Sequence, residues 1–144
     1  MLFLIVYGKE KCYMKDIKHA RLMLDMARKD FNALEGMNNV EIFDDEIFGF
    51  HAQQAVEKTI KAWLSLVGVS YPKIHDLEEL FALLEQHGEI VSEQFYLLVD
   101  LTDFAVQYRY ESFEDLSDNL DRNDIIYKVK NLVKHVEEMI KNSQ

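Results

Sequence analysis

Gln54, Glu57, Lys58, Lys61 and Ser65 recur at the spacing that lines one face of an α-helix. Glu57 stands four residues before Lys61, the order that favours an intrahelical ion pair worth about 0.2–0.5 kcal/mol. The stripe is therefore open to two readings: a solvated helix face with one ion pair, or a surface whose lysines meet phosphate. Further along, His75 precedes Asp76. Asp76 suits a helix N-cap, and His75 is either a turn residue or, given a partner, a proton acceptor near neutral pH. The triplet Tyr108-Arg109-Tyr110 sets a cation between two rings. Such an arginine could screen a helix C-terminus, stack between rings or hold a phosphate, with a tyrosine stacked on a base.

The elements that must position these residues read as helices. Ile17, Ala20, Leu24, Ala27, Phe31 and Leu34 form one stripe, predicting a first helix that stops near Gly36. Phe48, Ala52, Ala55, Thr59, Ala62, Trp63 and Leu66 predict a long second helix over about 45–67, closed by Gly68 and by the single proline, Pro72. Trp63 lies on its apolar side and is expected to be buried. A third helix opens at Asp76, with Glu79 three residues on, and ends at Gly88. Val91, Phe95, Leu98, Thr102 and Ala105 predict a fourth. Ile126, Val129, Val133, Val136 and Ile140 predict a fifth. The expected fold is all-α, an up-and-down bundle of four to five helices. Residues 111–124, with six acidic side chains and one arginine, lack this periodicity and read as a solvated connection.

At 144 residues and 17.0 kDa the chain is one domain, and 49% apolar residues are enough for a core of its own. Five glycines and one proline are too few to punctuate a β-sandwich or barrel. A formal net charge of -10 means that any contact with nucleic acid uses a local basic patch, not the field of the whole surface. The one cysteine, Cys12, cannot form an intrachain disulfide, which suits a cytoplasmic protein. No Cys/His cluster has zinc spacing, and there is no Gly-rich phosphate loop, G-x-S-x-G elbow or H-E-x-x-H. No metal or other cofactor is expected. The apolar run from Leu2 to Tyr7 is too short for a signal core or a membrane span. Residues 1–13 read as a short strand or tail packed on the domain, or as an extension upstream of a natural start at Met14. The second reading is preferred, with the domain at 14–144.

The run Phe50-His51-Ala52-Gln53-Gln54-Ala55-Val56-Glu57-Lys58-Thr59-Ile60-Lys61-Ala62, then His75-Asp76-Leu77, then Arg109-Tyr110, resembles the HEPN domain family in its small prokaryotic branch. There the pattern is F-x-x-Q-Q-A-x-E-K-x-x-K-A on a long helix, H-D-L opening the next, and R-Y near the end of the fourth. The resemblance spans about residues 15–142. It implies a helical bundle, commonly a homodimer, often encoded beside a minimal nucleotidyltransferase as a two-component, frequently toxin–antitoxin, system.

Catalytic members of that family are metal-independent RNases whose motif is an arginine followed four to six residues later by a histidine. After Arg109 this chain has Tyr110, Glu111, Ser112, Phe113, Glu114, Asp115 and Leu116, and its next histidine is His135. The group that would carry a proton is missing, and carboxylates that repel phosphate stand in its window. The resemblance therefore implies a non-catalytic subunit binding nucleotide or RNA phosphate through Gln54, Glu57, Lys58, Lys61, His75, Arg109 and Tyr110. The alternatives are an RNase in which His75 or His51 replaces the lost histidine beside Arg109, and a purely structural role in which these polar residues lock a network between helices. Related proteins with a modified tyrosine near this arginine also point to Tyr108 and Tyr110 as acceptors of a transferred nucleotide. Apolar residues off the main stripes, Leu22, Met23, Met26 and Tyr96, are expected to meet a second copy.

Overall fold

The computed structural model describes residues 4–7, 10–13, 15–104 and 120–143. They form an all-α bundle preceded by a small hairpin. Strand β1 (Leu4–Tyr7) pairs antiparallel with β2 (Glu10–Tyr13), Leu4 opposite Tyr13 and Tyr7 opposite Glu10. Then come α1 (Ile17–Gly36), α2 (Asp45–Leu66), α3 (Leu77–Gln86), α4 (Glu93–Tyr96), a 3-10 turn over Leu97–Leu101, and α5 (Arg122–Asn142). Tyr108, Arg109, Tyr110 and most of the acidic connection lie outside the described residues.

Helix starts and stops follow side-chain chemistry. The Asp16 carboxylate accepts from the His19 N–H at 3.0 Å, that of Asp76 from the Glu78 N–H at 2.9 Å, and that of Asp121 from the Asp124 N–H at 3.0 Å. Each N-cap satisfies a donor that its helix leaves orphaned. Gly68 and Gly88, at φ of 80° and 85°, end α2 and α3. The N–H of Val69 returns to the Leu64 carbonyl and that of Glu89 to the Leu84 carbonyl, which completes a Schellman turn at each end.

The second helix is the axis of the bundle. Its buried positions run almost without a break from Ala52 to Leu66, because Ala52, Ala55, Thr59 and Ala62 are small enough for α1 and other neighbours to close in. Trp63 is 1% exposed, as its place on the stripe requires, and its indole N–H donates to the Glu89 carboxylate at 2.7 Å. Arg122, the first residue of α5, is buried and donates to the carbonyls of Met37 and Phe43 and to the Asp45 carboxylate. That arginine ties α5 to the connection between α1 and α2.

The fourth helix departs from expectation. A single helix through Ala105 was predicted, but α4 is one turn long and passes into 3-10 geometry at Leu97. Its buried residues explain why. Phe95, Leu98, Leu101 and Phe104 are three apart, and the period of three keeps Leu98 and Leu101 on one face through the 3-10 turn, after which residues 102–104 return to α-helix. Gly49 of α2 makes room for them: a Cβ there would come within 2.4 Å of the Phe104 ring.

Candidate functional site

Gln53, Glu57, Lys61 and Ser65 stand four apart on α2, and every one is buried. Of the stripe read from the sequence, Glu57, Lys61 and Ser65 are buried and Gln54 and Lys58 half-buried, so it is not a solvated face. The connection between α2 and α3 folds back across this line and covers it with Tyr71 and His75. Glu57 is the centre. One carboxylate oxygen accepts from the Gln53 amide and from His75 Nδ1, both at 3.0 Å, and the other accepts from Lys61 Nζ at 3.1 Å. The Gln53 amide also donates to the His75 carbonyl at 3.1 Å, so that one residue fixes the backbone that Glu57 fixes by its ring.

This geometry decides the chemistry of each group. The Glu57 and Lys61 side chains are 6% and 10% exposed, and their opposite charges offset a desolvation that neither would tolerate alone. His75, 53% exposed at its side chain, turns Nδ1 toward the carboxylate, so Nδ1 donates to Glu57 and Nε2 is the nitrogen left to gain or lose a proton. A buried carboxylate orienting an imidazole that reaches solvent is an arrangement able to take a proton from a bound group or, with Nε2 protonated, to donate a hydrogen bond to a phosphate oxygen. Lys61 is occupied by Glu57 and lies 5.5 Å from the centre of the Tyr71 ring. The Tyr71 hydroxyl meets His19 Nε2 at 2.9 Å, and burial raises its pKa above the usual 10.0, against the opposing effect of a hydrogen bond with Ser65. The polar line thus runs under the connection from His75 to His19.

Lys58 goes elsewhere. Its ammonium meets the Asp30 carboxylate of α1 at 2.6 Å, and His51 Nδ1 meets the other oxygen of Asp30 at 3.1 Å. Gln54 bridges toward the first group, donating to the Gln53 side-chain oxygen at 2.7 Å. Of the residues expected at the site, Gln54, Glu57, Lys61 and His75 come together. Lys58 sits on the α1 side with His51, and Arg109, Tyr108 and Tyr110 fall outside the described residues.

Four participants were not foreseen: Gln53, Asp30, Tyr71 and His19. Gln53 was within the quoted motif, but the others contact residues 21 to 52 positions away and leave no mark in local spacing. Among the described residues no group of three His, Cys, Asp or Glu side chains is placed to hold a metal ion, and no helix is long and apolar enough to cross a membrane.

No curated protein and no solved structure matches the chain. A family model described as HEPN domain matches residues 20–140, a span that takes in α2, the covering connection and all but a few residues of α1 and α5, and the chain accordingly belongs to the HEPN domain family.

Proposed function

We propose that this protein is a HEPN subunit that binds the phosphate of a nucleotide or of RNA, does not cleave RNA by itself, and works as a homodimer with a minimal nucleotidyltransferase in a toxin–antitoxin-like pair. The observation that carries the reading is the convergence of the Gln53 to Lys61 motif and His75 into one hydrogen-bonded group with Gln54 and His75 at its solvent edge. Family membership supplies the nucleotide- or RNA-related character. Glu57 and Lys61, saturated by each other and by neighbours, support the site. Gln54, His75 and Arg109 are its contacts, with Tyr110 offered to a base, and Lys58 joins them only by leaving the Asp30 carboxylate. The absence of a histidine four to six residues after Arg109 supports the lack of cleavage.

The Glu57–His75 pair favours one competing reading, an RNase in which His75 supplies the imidazole. Labelled single-stranded RNA separates the two. With metal-free protein the RNA should be bound, more weakly by Arg109→Ala and His75→Ala, and recovered intact. Cleavage that disappears in either variant would establish the RNase. Cleavage unchanged in both would mark a contaminant, and no binding by any form would remove the proposed function.

A further inference from the structure

Between Lys73 and Arg122 the chain has one cation, Arg109, and thirteen of its twenty-six carboxylates. Among the described residues, two helical stripes carry charge of opposite sign, each beside exposed apolar side chains. On the acidic flank, Glu93, Leu97 and Asp100 are exposed at spacings of four and three along α4 and the 3-10 turn, with Ile90 just before them. Ile90 is 88% and Leu97 59% exposed.

On the basic flank, α1 exposes Lys18, Arg21, Leu22, Met26 and Lys29, with Leu22 at 56% and Met26 at 39%. Its buried line, Ala20 to Leu34, faces α2 and α5, so this stripe looks away from the bundle. A groove of about 450 Å³ runs beside Leu22, lined by Lys18, His19 and Arg21 together with Asp16 and Asp25. Asp25, the acidic residue within the stripe, is paired with Arg28. No ion pair among the described residues includes Lys18, Arg21, Lys29, Glu93 or Asp100.

Apolar side chains framed by charges mainly of one sign are suited to a surface of the same make and the opposite sign. The chain carries both. The two stripes reach the bundle through different sets of elements, α1 through α2 and α5, the 3-10 turn through α2, α3, α4 and α5. We propose that the α1 stripe of one copy seats on the stripe of α4 and the 3-10 turn of a second copy, with Leu22 and Met26 against Ile90 and Leu97, and Lys18 and Arg21 facing Glu93 and Asp100. This names the contact for the homodimer proposed above and rests on that part of it; in a closed dimer the contact is made twice, once in each direction, and it does not depend on nucleotide binding.

Analytical ultracentrifugation of the full chain tests it, with two charge-reversed proteins, Lys18→Glu with Arg21→Glu and Glu93→Lys with Asp100→Lys. These positions are exposed, and circular dichroism verifies that both variants keep their helices. The wild type should associate at about 0.01 M salt and less at about 1 M, where charges are screened within a few ångströms. Each variant alone, facing like charge on like, should associate at least tenfold more weakly, and an equimolar mixture of the two should recover the wild-type behaviour. Association of either variant at wild-type strength, or a mixture that stays monomeric, would overturn the interface while leaving self-association in place. A wild type that never associates would remove both.

Discussion

Glu57 shows how little a favourable spacing says about energy. At the surface, a Glu and Lys four apart contribute a few tenths of a kcal/mol. Here the same pair is buried under Tyr71 and His75, and removing one partner strands the other charge in a low-dielectric site. Glu57→Gln should therefore destabilise the fold by about 3–5 kcal/mol, far more than a surface pair could. Combining it with Lys61→Met should recover much of that loss, because the uncompensated ammonium is then gone. Urea denaturation of the single and double variants checks this, and a double variant no more stable than Glu57→Gln alone would count against it. At this scale the sequence disclosed the Glu57–Lys61 pair and the Asp76 cap, both of which depend on near neighbours. It did not disclose that His75 would meet Glu57 across 18 positions, or that Lys58 would turn to Asp30, because such meetings depend on how helices pack.

Three of the five expected helices, α1, α2 and α5, were legible because their apolar residues repeat at helical spacing and their ends carry cap residues. The short α3 was legible from its Asp76 cap and the glycine after it. The fourth was legible as helix over residues 93–104 but not in its 3-10 middle. Val91, Phe95, Leu98, Thr102 and Ala105 fit an α-helix, but the residues that pack are Phe95, Leu98, Leu101 and Phe104, which follow the shorter period. What selects that period is a partner surface, including the missing side chain of Gly49. Gly49→Ala should drive its methyl into the Phe104 ring and cost about 1–3 kcal/mol, as overpacking does, despite the better helix propensity of alanine. Thermal melting gives the sign: a stabilised variant would mean that Phe104 yields easily and that the contact does not position the turn. The turn matters to the site because the Thr102 hydroxyl accepts from the Leu77 N–H at 3.1 Å, next to the His75-Asp76 corner.

Across the whole molecule, composition alone announced an all-α fold, and a net charge of -10 announced that nothing global draws RNA to it. The distribution of charge matters more than its sum. Both α2 lysines are neutralised by carboxylates of the same chain, so the proposed phosphate recognition falls on a small edge formed by Gln54 and His75. The central claim is that this edge binds nucleotide or RNA phosphate without cutting it. Nitrogen-15 NMR of the histidine rings, recorded while a short single-stranded RNA is added, reads both halves of the claim in one tube. The His75 Nε2 resonance should move and saturate, that of His87, whose Nδ1 is bound to the Leu83 carbonyl on α3, should stay, and the phosphorus spectrum should show the RNA intact. An unmoved His75, or the appearance of a 2′,3′-cyclic phosphate, would contradict the account.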